Sequence, residues 1–227
     1  MIRPRARGIA AQLIAGAAAG CIAISPAHAQ AVQPTAPVAP TAAVIAKARA
    51  DSVKLPYTQS DIDFMAGMIH HHAQAIVMAR LAPTHGAGPT VSTLGARIIN
   101  AQSDEIKLMQ QWLRDRNQTV PEATGGAMKM KMGGMDHEML MPGMLSDVQM
   151  KQLDASSGLD FDRLFLTFMI QHHMGAVGMV NDLFASAGGG QDETVFKFAG
   201  DVSVDQTTEI ARMQKMLTIV VFEGRTP

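Results

Sequence analysis

Counting forward by three or four residues from Asp61 meets Phe64, Met65, Met68, His71, His72, Ala75, Ile76 and Ala79. Apolar positions at that spacing share one stripe of an α-helix. A helix capped by Thr58 or Ser60 is therefore predicted to run to about Leu81, turning that stripe inward. "APTHGAGP" breaks it, and a second helix is predicted over about Val91 to Arg116, ending before "NQTVPEATGG". A shorter helical stretch, "SDVQMKQLDAS", precedes a third long helix over about Leu159 to Ala187. After "GGG" a fourth spans about Glu193 to Phe222. No run alternates clearly enough to predict a strand, so the chain reads as all-α.

The pattern also repeats. "DIDFMAGMIHHHAQAIVMA" aligns with "DFDRLFLTFMIQHHMGAVGMV" at an offset of 101. This pairs Asp61 with Asp162, Phe64 with Phe165, Met68 with Met169, His71 and His72 with His172 and His173, and Met78 with Met179. "QSDEIKLMQQWL" aligns with "QTTEIARMQKML" at an offset of 104, pairing Gln102 with Gln206, Glu105 with Glu209 and Met109 with Met213. Two hairpins built alike, over 57–118 and 159–222 and joined by a connection over 119–158, predict a four-helix bundle spanning 57–222.

Polar side chains on the inward stripes change what that bundle is for. A buried imidazole needs a partner for each ring nitrogen or it costs stability. Met68 stands one turn before His71 and His72, and Met169 one turn before His172 and His173. The second and fourth helices carry Val91, Leu94, Ile98, Gln102, Glu105, Met109 and Val195, Phe198, Val202, Gln206, Glu209, Met213 at the same spacing. His70 points to the opposite side and its counterpart is Gln171, so it is expected at the surface. The convergence points to metal binding by Met68, His71, His72, Met169, His172 and His173. Gln102, Glu105, Met109, Gln206, Glu209 and Met213 would then orient the imidazoles or join them as ligands. A plainer alternative is a closed polar network, with the histidines donating to Glu105 and Glu209 and the two glutamines completing it.

Composition narrows the metal. The chain holds 18 Met and one Cys. "MKMKMGGMDHEMLMPGM", residues 128–144, concentrates Met128, Met130, Met132, Met135, Met139, Met141 and Met144 with His137. Seven thioethers in so short a Gly- and Lys-spaced stretch cannot all be packed in a core, and exposing them invites oxidation. Thioethers suit Cu(I), and imidazole suits either copper oxidation state, whereas hard ions prefer oxygen. Zinc favours cysteine, or histidine with carboxylate. Copper is thus the implied ion, Cu(I) ahead of Cu(II); a low-complexity linker is the bland alternative for this stretch.

The first residues bear on where this happens. Arg3, Arg5 and Arg7, an apolar run from Ile9 to Ile24 and Ala27-His28-Ala29 follow the order of an export leader over 1–29. "AAGC" at Cys21 offers a lipid-anchored alternative, but Ala18 stands where a larger aliphatic residue is usual, so a periplasmic or secreted protein is expected. Residues 30–56 are an Ala/Pro-rich tether. Beyond the leader no cysteine remains, which excludes disulfides and thiolate sites. Removing the leader takes the formal charge from −1 (19 Lys+Arg against 20 Asp+Glu) to −4 (16 against 20). That mild acidity gives no reason to expect nucleic acid. No membrane span is expected after cleavage.

With these motifs in place, the paired M-I-x-H-H segments, "FMAGMIHHHAQAIVMARLA" and "FLTFMIQHHMGAVGMV", each followed by a Q-x-x-E-I-x-x-M helix, resemble the bacterial family called domain of unknown function 305, over about residues 57–222. The resemblance implies an exported, ferritin-like four-helix bundle. It also implies a link to copper binding and resistance, with metal residues carried over to Met68, His71, His72, Met169, His172 and His173. Met174 departs from the acidic residue common in relatives after the second histidine pair, which makes that site softer. The leading reading is a non-enzymatic protein that sequesters copper or passes it to another periplasmic copper protein. A ferritin-like di-metal oxidoreductase is the second. It needs four carboxylates, and this chain offers Glu105 and Glu209, with Met68 and Met169 where Glu would be required. A metal-free structural or interaction module is the third.

Overall fold

The computed structural model describes residues 41–43, 46, 57–132 and 135–223. The leader expected at 1–29 and nearly all of the tether at 30–56 lie outside the described residues. Five helices are delimited among residues 57–223: α1 (Gln59–Leu81), α2 (Pro89–Asp115), a short α3 (Asp147–Asp154), α4 (Gly158–Ala185) and α5 (Glu193–Glu223). Thr58 starts α1 with a capping box: its hydroxyl accepts the Asp61 N–H, and Asp61 Oδ2 accepts the Thr58 N–H at 2.7 Å. Pro89 opens α2, where its missing N–H is no loss. α1 packs along α2, α4 packs along α5, and the two hairpins meet through α1 and α4. The apolar stripes read from the sequence form the core, with Met65, Met68, Ile98, Met109, Phe165, Met169, Val195 and Met213 buried.

The duplicated aspartates fasten the halves to each other. Asp61 Oδ1 accepts the N–H of Gly190, in the turn of the second hairpin, at 2.7 Å. Asp162 accepts the N–H of Gly88, in the turn of the first, at 3.1 and 3.2 Å. At the far end of α2, Arg116 Nη2 donates to Asp192 Oδ2 at 2.5 Å, and both residues are buried. Asp192 Oδ1 accepts from Trp112 Nε1 and from the N–H groups of Thr194 and Val195, which open α5. Arg116 also lies over the Trp112 ring at 4.2 Å.

The connection departs from the sequence expectation in two ways. Met128–Met132 (β1) and Met135–Met139 (β2) form an antiparallel two-stranded hairpin. The register alternates Met130↔His137 and Met128↔Met139 with Lys129↔Glu138 and Lys131↔Asp136. The signal was present: Gly133-Gly134 separates two runs of period two, a recognised tight-turn pattern. Residues 141–145 then run as a strap across α1 and α4. Gln74 Nε2 donates to the Leu145 carbonyl, the Leu145 N–H donates to Gln74 Oε1, and Gln171 Nε2 donates to the Gly143 carbonyl.

The strap corrects the expectation for His70. Its fractional exposure is 8%, against the surface position predicted. Gln74, one turn further along the same side of α1, is held by Gly125 and Leu145, so the connection covers a face the helical wheel assigns to solvent.

Close approach of the strap depends on glycine. A Cβ at Gly175 would overlap the Pro142 carbonyl, whereas one at Gly178 on the same helix would meet nothing within 4 Å. Gly175→Ala should therefore destabilise by about 1–3 kcal/mol or more. Gly178→Ala should be neutral or stabilise by up to about 1 kcal/mol. Denaturant melts of the two variants check this, and equal effects would contradict the strap's placement.

Candidate metal centre

α1 and α4 bring the two histidine pairs together. His71, His72, His172 and His173 are all buried, and the His71 and His172 rings lie 3.8 Å apart between centroids, tilted by 42°. Met68 and Met169, one turn earlier on each helix, are fully buried, as are Met109 on α2 and Met213 on α5. His71 and His172 from the two repeats are thus in contact, and Met68, Met169, Met109 and Met213 are buried.

The hydrogen bonds fix which ring nitrogens are free. His71 Nε2 donates to the Pro142 carbonyl at 3.0 Å, leaving Nδ1 as a bare lone pair. His173 Nε2 lies 2.8 Å from Glu209 Oε2, again leaving Nδ1 without a partner. His72 Nε2 is 2.7 Å from Glu105 Oε2, an ion-pair distance off the hydrogen-bond direction, and its Nδ1 is also unpartnered. His172 has no well-aligned hydrogen bond at either nitrogen, only a backbone contact from His71. A carboxylate or carbonyl on one imidazole nitrogen is how proteins orient the other toward a metal.

Burial also favours the neutral form of His71, His172 and His173. It lowers the His71 pKa to about 3, helped by the neighbouring His72 and His173 and opposed by the Pro142 hydrogen bond. Burial holds His172 well below its ordinary value, with His71, His173 and His72 adding to the effect and the His71 backbone opposing it. His173 is lowered by burial against the raising influence of Glu209. A neutral imidazole keeps the lone pair that a metal requires.

The glutamines do not close the network. Gln102 Oε1 and Gln206 Oε1 are buried without partners. Glu105 and Glu209 are partly exposed on α2 and α5. Asp205, one turn before Glu209, has its carboxyl pushed upward by burial first and then by Glu105, Asp201 and Glu209. Among the described residues, no three His, Asp or Glu side chains are grouped around one point as ion ligands. Imidazoles and carboxylates alone thus make no ready site, and thioethers would have to complete one. The donor set of bare imidazole nitrogens beside buried methionines fits a soft ion.

The Met-rich stretch divides. Met144 is buried and Met141 packs against the core, with its sulfur beside Gly67 on α1. Met139 is exposed at the end of β2. Met128, Met130, Met132, Met135 and His137 lie in the two-stranded hairpin. The sequence reading missed the Pro142 carbonyl as a partner of His71; Pro142-Gly143 at the end of the Met-rich run was the available signal.

The family profile described as Domain of unknown function (DUF305) matches residues 61–217. The chain belongs to this family. Among solved structures, a DUF305 fragment from Deinococcus radiodurans is 26% identical, with a TM-score of 0.59 over 72% of this chain and 98% of its own. A DUF305 protein from Streptomyces coelicolor is 25% identical, with a TM-score of 0.58 over 71% of this chain and 92% of its own. CopM in its Cu(II)-bound form is 27% identical, with a TM-score of 0.54 over 70% and 95%. CopM has also been solved in Cu(I)-bound, Ag-bound and apo forms. No curated protein sequence matches the chain. No helix among the described residues is long and apolar enough to cross a membrane.

Proposed function

We propose that this DUF305 protein is exported and binds copper, Cu(I) ahead of Cu(II), to sequester it or pass it to another periplasmic copper protein, without catalysis of its own. The observation that carries this reading is the set of buried imidazoles with unpartnered nitrogens at His71, His72, His172 and His173, placed one turn from Met68 and Met169. A closed polar network would leave no such nitrogens, because each costs about 1–3 kcal/mol when buried without a partner. Pro142, Glu105 and Glu209 would hold the rings, and the thioethers would supply the soft donors. The Met-rich hairpin, with Met130 paired to His137 and Met128 to Met139, would offer further thioethers for capture. The structural likeness to CopM, solved with Cu(I), Cu(II) and Ag, supports copper as the ion.

Titration of the metal-free protein with Cu(I) against a competing chelator tests this. His71→Ala/His172→Ala should weaken binding by roughly 100-fold or more, and Glu209→Gln by roughly 10- to 100-fold, the usual effect of losing a ring-orienting group. His70→Ala should leave the affinity unchanged. An unchanged copper affinity after loss of both His71 and His172 would refute the proposal.

A further inference from the structure

The two halves of the repeat part company at one buried position. Gly67 on α1 stands where the 101-residue offset places Phe168 on α4. Phe168 shares an apolar cluster with the fully buried Met78, so that side of the α1–α4 contact is filled. On the other side the space is open, and two thioethers use it. A Cβ on Gly67 would lie 2.9 Å from the sulfur of Met141 and 3.4 Å from the methyl of Met179. The missing side chain therefore lets the strap and α4 bring their methionines together over α1. Met179, the repeat's counterpart of Met78, also lines a cleft of about 250 Å³ between α1 and α4.

Methionine readily fills irregular gaps, but this gap exists only because residue 67 is glycine. A larger side chain there, as at position 168, would close it. The chemistry of the cleft favours a cation instead. Asp63 and Asp182 stand exposed on it, and no lysine or arginine is among its lining residues. Their negative field concentrates cations at the rim, whether hard or soft. The thioethers then select: uncharged at every pH, they hold Cu(I) or Ag(I) and leave hard ions to water. We propose that Met141 and Met179 form a second site for a soft monovalent cation, apart from the histidine centre. It adds a position to the copper reading above but rests on the cleft and its thioethers, so the two can fail independently.

Ag(I) is the probe, because it is soft, monovalent and stable in air. The full chain carries Cys21→Ser, so that no thiol competes, and a ¹³C label at its methionine methyls. Added Ag(I) should shift the Met141 and Met179 methyl signals with one common midpoint, both in this protein and with His71→Ala/His172→Ala added. Met179→Leu nearly conserves volume and should fold. It should raise the Met141 midpoint by roughly tenfold or more, one of two soft donors being gone. Met78→Leu, the matching change in the other half, should leave the midpoint unchanged. No shift of the two methyls, a Met141 response unaltered by Met179→Leu, or loss of the response in the folded histidine variant would each overturn the proposal. Both methyls responding while the histidine variant keeps its full copper affinity would support this site and count against the histidine centre alone.

Discussion

The metal-free protein loses stability steeply as pH falls below about 6.5, before most carboxylates are protonated. The sign follows from the depressed histidines. His71 titrates at about 3 in the fold and His172 well below 6.5, whereas both titrate near 6.5 once unfolded. The unfolded chain therefore binds the protons that the fold refuses. Stability is complete above pH 6.5 and is lost as pH drops through the window toward 3. His71 alone shifts the folding equilibrium by up to about tenfold per pH unit within that window, and His172 acts in the same direction. Against an ordinary domain stability of about 5–15 kcal/mol this is a large fraction, so the midpoint of a denaturant melt should fall clearly between pH 6.5 and 4.5. Denaturant melts in the presence of a chelator at pH 7.5, 6.5, 5.5 and 4.5 measure this. A flat profile between pH 7 and 5 would mean that the imidazoles are not buried in the neutral form.

Asp192→Ala is expected to cost about 3–5 kcal/mol, because it strands the buried Arg116 guanidinium. The same change removes the acceptor for Trp112 Nε1 and for the first N–H groups of α5. Adding Arg116→Met should restore more than half of the loss, since most of the penalty is the uncompensated charge rather than the missing attraction. Thermal or denaturant unfolding of the single and double variants decides between the two. If the double variant is no more stable than Asp192→Ala, the cost belongs to the helix cap and the Trp112 bond instead.

The sequence reveals the helices and the inward stripe because both rest on local periodicity, and the 101-residue offset reveals the second histidine pair. Thr58 as a cap and Glu193 as the start of α5 are legible for the same reason. His70 is not legible: the wheel assigns it to solvent, and only the strap, which a helical pattern cannot foresee, buries it. Pro142 as the partner of His71 is hidden likewise, since a backbone carbonyl 71 residues away leaves no side-chain signature. The hairpin is missed because Met gives weaker strand signal than β-branched residues, although the Gly-Gly turn is visible. Asp61 and Asp162 can be matched by the repeat, but their acceptors' role requires the turns they reach.

Those two aspartates carry a consequence for the architecture. Each hairpin lends its carboxylate to the other's turn, Asp61 to Gly190 and Asp162 to Gly88, in a reciprocal exchange of the kind that a twofold axis imposes on two identical subunits. Separated, either half would leave its own turn N–H and its own carboxylate without their mates. The two hairpins of this one polypeptide thus clasp each other as the subunits of a twofold dimer would, yet they are not identical: the first carries His70 before its histidine pair, and the second has Met174 after its own.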